Sequence, residues 1–380
     1  MSLQSILAAI IAFFSSLRLT VFCLSCLLVL VFLGTLDQVH LGIYYAQKKY
    51  FDSLFIFWQP FEFLKIPVFP GGGLLAALLI TNLVVAHFTR FTWSIKKVGL
   101  WLIHVGLIIL LIGLVVSRIV SVETQMAIEE GKTANYAIDE RHMELAIIDT
   151  SDSAQDTVYS IPESKLDSKK TLQISGLPFS INILAYYPNS RLEMGQGQLS
   201  PATQGIGLNA HVTPQEVEVN GNNSNNVSAF IEFKAPDQPL GTWLLSNALG
   251  APQSFTYNSK TYMIFIRPTR FYTPYTLTLK DFRHDLYPGT TVPKNFSSLV
   301  TLSDPNTREK RDALIYMNNP LRYKGKTYYQ ASFGKNDTLS VLQVVENPSW
   351  LLPYLSCSLI GIGLALHFLL QLLRFTRKSS

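Results

Sequence analysis

Residues 98–116 read VGLWLIHVGLIILLIGLVV, 19 residues with one histidine and no formal charge. A helix rises 1.5 Å per residue, so this run reaches nearly across the ~30 Å hydrocarbon core of a bilayer. Three further runs repeat the pattern: Leu19–Leu36, Val68–Ala86 and Leu351–Leu373, all without Asp, Glu, Lys or Arg. One such run fits a buried helix of a soluble protein; four predict membrane spans. The 380 residues are 48% apolar and 15% charged, against about 25% charged for a soluble domain. That excludes a disordered chain and argues against an ordinary cytosolic enzyme. Three cysteines cannot build a disulfide framework.

Residues 2–14, SLQSILAAIIAFF, are apolar but too short to span. They lack the charged start and small-residue cleavage site of a signal peptide. An interfacial helix over 1–16, leading into the first span, is expected.

Charge placement orients the spans. The segment 88–97 carries Arg90, Lys96 and Lys97 and no acid, the tail carries Arg374, Arg377 and Lys378, and Arg18 precedes span one. The positive-inside rule puts these, and both termini, in the cytoplasm. The short loop 37–67 and the region 119–350 then face outward. Residues 119–350 hold 20 Lys/Arg and 23 Asp/Glu, against 11 and 3 in the rest of the chain. The basic balance is therefore a membrane-anchoring pattern, and no basic–aromatic cluster suggests nucleic acid.

The sequence 119–350 reads as strands. MELAIIDT, TLQISG, SINILAYY, SAFIEFKA, TYMIFIRP, YTLTLKDFRH, DALIYMNNP, TYYQASF and LSVLQVVE alternate or carry β-branched and aromatic residues. NNSNN, PDQP, PNT, NNP and YKGK mark turns, and 220–227 reads as a mobile loop. The expected fold is an α-helical membrane protein: three transmembrane helices over 17–118, a large extracytoplasmic mainly-β domain over 119–350, and a fourth transmembrane helix with a basic tail over 351–380.

No catalytic motif stands out: GxSxG, Walker A, HExxH and CxxCH are absent. Cys23 and Cys26 have CxxC spacing but lie inside span one, which reads as two small apolar helix residues. The DFRHD run at 281–285 reads as a polar strand end. Histidines are the better signal. His87 stands three residues before Arg90, His104 seven after Lys97 and His367 seven before Arg374. This puts three imidazoles at one depth, in the cytoplasmic third of the bilayer. Ionisable groups at that depth are functional candidates, and imidazole ligates transition metals and haem iron. Helix–helix hydrogen bonding is the plainer use of such a group. Asn82 is a further polar point on span two, and Arg90 suits either a lipid phosphate or a carboxylate such as a haem propionate.

Several segments resemble the ResB/Ccs1 family of cytochrome c biogenesis proteins. They are LGTLDQVHLGIYYAQKKYFDSLF, NLVVAHFTRF, KKVGLWLIHVGLIILLIG, QMAIEEG, MNNPLRYKGKTYYQASF and VVENPSWLLPYLSCSLIGIGLALHF. The resemblance covers about 17–370 and is vaguest over 145–310. It implies one subunit of the system II haem-attachment machinery in a bacterial inner membrane. That subunit helps carry haem b outward to apocytochrome c, together with a ResC/CcsA-like multispan haem-handling partner. The family pattern implies His87, in AHFTRF, as the iron ligand opposite a partner histidine, with His104, in LIHVG, as second candidate. The partner's tryptophan-rich motif is missing, since Trp58, Trp93, Trp101, Trp243 and Trp350 are dispersed. The chain is therefore expected to be at most one subunit of a haem lyase, inert alone. Two other readings stay open: a scaffold that stabilises the partner without touching haem, and a membrane-anchored ligand-binding or transport accessory protein.

Overall fold

The computed structural model describes residues 2–61, 64–90, 94–153, 155–166, 171–195, 200–217, 225–290, 293–335 and 337–379. The chain divides into two compact units, one from the residues up to Ser121 with those from Asn347 onward, the other from those between.

The first unit holds five helices: α1 (Leu3–Phe14), α2 (Leu17–Tyr50), α3 (Gly72–Arg90), α4 (Val98–Val120) and α5 (Leu351–Ser379). The last four are long and apolar enough to cross a membrane. α1 is apolar but shorter, with no buried residue. Ser2 and Ser16 cap α1 and α2, accepting from the N–H groups of Ser5 and Leu19.

α4 and α5 run antiparallel along a seam of small residues. Gly99, Gly106 and Gly113 are the buried residues of α4, seven apart. A Cβ on Gly99 would lie 2.6 Å from the His367 backbone nitrogen, and one on Gly113 3.1 Å from the Leu352 Cβ. A Cβ on Gly363 of α5 would lie 2.8 Å from the Gly99 carbonyl oxygen. Without water to drive association in lipid, such close backbone packing is what holds helices together. The seam ends in a polar clasp of Ser117 and Ser349 hydroxyls, 2.7 Å apart.

The expected outer loop 37–67 is mostly ordered structure. α2 continues past Leu36 to Tyr50, broken at Gly42, whose φ of +72° favours glycine. Asp37 accepts from the Lys49 ammonium at 2.6 Å and the Tyr50 hydroxyl at 2.7 Å. In a straight helix these residues would be about 20 Å apart, so the chain folds back at Gly42. A hairpin follows, β1 (Phe55–Phe61) and β2 (Leu64–Pro70). The second span thus begins at Gly72, not at Val68. Pro67 and Pro70 hold the chain extended, and a Cβ on Gly71 would sit 2.2 Å from the Ser53 carbonyl oxygen.

The second unit runs β3 (Val122–Glu129), β4 (Thr133–Asp149), β5 (Thr157–Pro162), β6 (Thr171–Leu172), β7 (Ser180–Tyr187), β8 (Ser190–Met194), β9 (Ala210–Pro214), β10 (Ser228–Lys234), β11 (Pro239–Ser246) and β12 (Gln253–Tyr257). The long β13 (Lys260–Leu286) follows, then β14 (Pro293–Asp304), β15 (Glu309–Tyr316), β16 (Leu321–Tyr323), β17 (Lys326–Gly334) and β18 (Leu339–Glu346). The main sheet has the order β15-β14-β13-β4-β3-β18-β17-β16, with β12 on β13 and β5 on β4. A second sheet has the order β11-β10-β7-β6, and β8 pairs with β9.

Two cores share β13 and β4. Leu145, Ile147, Ile264 and Ile266 of the main sheet pack on Ile181, Ile183, Ile231 and Phe233 of the second sheet. Each such side chain contributes about 1.5–3 kcal/mol by leaving water. Beyond Pro268 the main sheet curls around the other core, which includes Leu277, Leu279, Val300, Leu302, Ile315, Tyr328 and Leu342. The curl is fastened inside by the Tyr275 and Tyr328 hydroxyls, 2.6 Å apart, and by Ser298, which meets Gln330 and Ser340.

TYMIFIRP and YTLTLKDFRH, expected as two strands, form the single β13. Register shifts follow Pro268 and fall between Tyr272 and Leu277, a stretch that contains Pro274. Neither proline has an N–H for the ladder, so each change of register sits where a donor is missing. TLQISG is a strand only over β6, because Gly176 (φ +96°) and Pro178 break it. Asp281–Asp285 form the polar end of β13. Residues 220–224 of the expected mobile loop lie outside the described residues.

Two carboxylates brace this unit. Lys324 first, then Tyr323 and the Asn306 N–H, hold the enclosed Asp304 carboxyl at about 2. Lys260 and Ser151 hold Asp149 at about 2 likewise. A carboxylate depressed on folding stabilises the fold above its unfolded pKa, about 3.9, and loses that effect as pH falls through the folded value. Asp304→Asn should therefore lower Tm at neutral pH, and its gap to wild type should close as pH falls from about 4 towards 2. Thermal unfolding followed by circular dichroism across that range checks this. For the helical seam, Gly106→Leu should cost about 1–3 kcal/mol by overpacking. Gly361→Leu, where a Cβ meets nothing within 4 Å, should leave Tm unchanged in the same detergent.

Candidate functional site

α3 carries His87 and Arg90, and α4 carries Trp101 and His104. A spacing of three places both members of each pair on one helix face. The two helices pack side by side and bring the pairs together. The His87 and His104 ring centroids are 6.3 Å apart, with the planes 35° from parallel. Trp101 lies 5.7 Å from the His87 ring and Phe88 also 5.7 Å, edge to face. His87 is only 8% exposed, although it stands one turn from the helix end.

His104 is oriented from its own helix. Its Nδ1 lies 2.8 Å from the Leu100 carbonyl oxygen, which can only accept. Nδ1 therefore carries hydrogen, and the bond fixes how the ring stands on α4. A backbone carbonyl holding the far nitrogen of an imidazole is the arrangement that orients metal-ligating histidines.

The two histidines open onto a cleft of about 470 Å³. Leu79, Leu83 and Ala86 of α3 and Leu107 and Leu111 of α4 line it, with Ser15, Leu17 and Thr20 from the α1–α2 junction. Among the described residues that line it, Arg90, exposed at the last residue of α3, carries the one formal charge. A second cleft of about 430 Å³ also borders His87 and is otherwise apolar, with Phe88, Trp101 and Ile108 among its walls. Both volumes lie in the range of small-molecule sites.

Asn82 fixes the cleft's third side. It is buried, and its amide donates to the Phe14 and Ser16 carbonyl oxygens at 2.6 and 3.0 Å. Its own oxygen accepts from Thr20 at 2.6 Å. One side chain of α3 thus ties down the backbone where α1 ends and α2 begins, adding a donor to the Phe14 carbonyl and a second one to the Ser16 carbonyl, which also accepts the Thr20 N–H at 3.4 Å.

The other candidates fall elsewhere. His367 bonds Gln371 on its own helix, 2.9 Å away, and its backbone meets Gly99, so it does not line the cleft. His40 is exposed on α2. His142 and His211 are exposed in the β unit, and His142 pairs with Asp139. His284, within the DFRHD run, stacks on Phe296 at 4.6 Å, while Asp281 bonds Arg283. Cys23 and Cys26 are buried against Leu19, Leu30 and Leu75. Phe91–Trp93 of the basic segment lie outside the described residues. No group of three or more His, Cys, Asp or Glu among the described residues is set to hold a metal ion. Sequence reading passed over Trp101 and the Leu100 carbonyl. The signal for Trp101 was its spacing of three from His104.

Comparison with known proteins bears on the β unit. A family model described as ResB-like matches residues 252–349, which run from β12 to the residues just before α5. The protein NrfI of Wolinella succinogenes is 32% identical over 102 residues, an alignment covering 27% of this chain and 11% of that protein. The chain thus carries a ResB-like segment, in agreement with the resemblance read from its sequence. Within that segment, PLRYKGKTYYQASF forms β16 and β17, and β18 joins β17 to the QMAIEEG strand β3.

Asn82→Ala removes three hydrogen bonds, each with a net effect of about 0.5–1.5 kcal/mol. It should lower stability by about 1.5–4.5 kcal/mol, and limited proteolysis at the α1–α2 junction should quicken. Thr20→Val, which removes one of the three, should show a smaller change in both.

Proposed function

We propose that this protein is a membrane subunit of cytochrome c biogenesis, with the α3–α4 cleft as a station for haem in transit. What supports this most is the pairing of His87 and His104 from two adjacent apolar helices in a cleft that Arg90 also lines. The ResB-like segment supports the wider role.

The residues fit the cargo. Haem is an apolar macrocycle with an iron that takes imidazole and two anionic propionates. The leucines of α3 and α4 provide apolar walls. Arg90 can meet a propionate by a bidentate bond. His87 would hold the iron through an imidazole nitrogen, and a ResC/CcsA-like partner would contribute a second imidazole. His104, oriented by Leu100, either shares the pocket or replaces His87 as the ligand. When bound, haem would supply the vinyl groups for thioether attachment to apocytochrome c. This chain's residues bind, orient and shield, and need provide no acid or base for that step.

In this reading the basic segment 88–97 and both termini face the cytoplasm of a bacterial inner membrane, and the β unit faces outward. The cleft then opens near the cytoplasmic end of α3. Free strand edges of the β unit could accept an extended segment of apocytochrome c by strand addition.

The test is the haem spectrum of the complex co-purified with the multispan partner. His87→Gly should lose most of the bound haem, and added imidazole should restore it by occupying the vacated site. Full retention of haem in both His87→Gly and His104→Gly would overturn the reading in favour of a scaffold. Loss in His104→Gly alone, rescued by imidazole, would move the ligand from α3 to α4.

A further inference from the structure

We propose that the β1–β2 hairpin lies in the headgroup layer of the bilayer, as an interfacial anchor for the helix pair α2–α3. This does not depend on what the histidine cleft binds. The hairpin leaves one membrane-crossing helix after Tyr50 and enters the next at Gly72. Two ion pairs mark the level from which it starts. Asp52, three residues before β1, pairs with Arg118 in the last turn of α4, and Asp37 pairs with Lys49 beside it. Charges at the ends of apolar helices sit where water begins.

The hairpin itself is the reverse of a water-facing loop. Among its described residues Lys65 carries the one charge. Phe57 is 52% exposed, Trp58 59%, Phe61 60% and Val68 53%. Apolar side chains this open need a cover, and the backbone decides which one. Pro60, Pro67 and Pro70 have no N–H to offer, which blunts both strands against pairing with a further strand. The remaining open N–H and C=O groups of a two-stranded hairpin exclude the hydrocarbon core, where nothing could satisfy them. The headgroup layer meets both demands. It provides water and ester oxygens for the backbone, and it is where Trp and other aromatic rings concentrate at membrane surfaces. Lys65 can reach a lipid phosphate from there.

The experiment places a nitroxide spin label at Phe57→Cys or, separately, at Val68→Cys, in the full chain with Cys23, Cys26 and Cys357 changed to alanine. The protein is reconstituted into nanodiscs of phosphatidylethanolamine and phosphatidylglycerol. Glu140→Cys, exposed in the β unit, and Ile362→Cys, exposed along α5, serve as water and hydrocarbon references. Collision rates with oxygen and with a water-soluble nickel chelate give depth. Both hairpin labels are expected between the two references, with the nickel collision rate reduced severalfold from that at position 140. Labels as open to nickel as position 140 would overturn the proposal. So would labels shielded from both colliders only when a protein partner is co-purified, which would identify a protein interface instead. Two positions on different strands keep the result decisive if either variant fails to fold.

Discussion

The contact between α4 and α5 is the constraint on which the helical unit rests. In lipid the hydrophobic effect does not press helices together, so the backbones must approach closely enough for dispersion and weak polar contacts to act. Gly99, Gly106 and Gly113 permit that approach along the length of α4, and Gly363 permits it from α5. The same two helices flank the β unit in the chain, whose first strand β3 and last strand β18 pair with each other from end to end. Segments more than 200 residues apart in sequence are thus paired twice, once in each unit.

With its glycine face given to α5, α4 has another face free. That face carries Trp101, His104, Leu107 and Leu111, and α3 brings His87 and Arg90 to it. The arrangement separates two kinds of polar group within the helices. Asn82 spends its hydrogen bonds on the α1–α2 junction and is a structural group. His104 gives one nitrogen to the Leu100 carbonyl, which orients its ring beside the cleft. Ionisable groups in an apolar unit are costly, so two histidines beside one cleft are the feature that distinguishes this part of the helical unit.

The β unit is built differently, with one long antiparallel sheet bent over two cores. β13 and β4 serve two cores, and prolines in β13 mark where the sheet changes from sandwich to curl. The Asp304–Lys324 pair and the Ser298–Gln330–Ser340 group tie opposite parts of the curl together. The ResB-like match covers much of this curled part, β12 to β18. The segments quoted for the resemblance on either side of the unit meet there as neighbouring strands.

Much of this was legible from residues alone, and the reason is locality. An uncharged run declares a spanning helix by its length, and alternation declares a strand, so four helices and a mainly-β region followed directly. Charge counts separated the regions because lipid excludes charge. His87, His104 and Arg90 were found as candidates because any ionisable group in an apolar run stands out. What remained hidden was decided by contacts between distant residues. The reversal of α2 at Gly42 is closed by Asp37 meeting Lys49 and Tyr50, residues 12 and 13 positions away. Three histidines shared a depth in the sequence, yet depth is one coordinate and helix rotation another. The glycine seam turned His367 away and left His87 and His104 facing each other, and only packing fixes rotation about a helix axis.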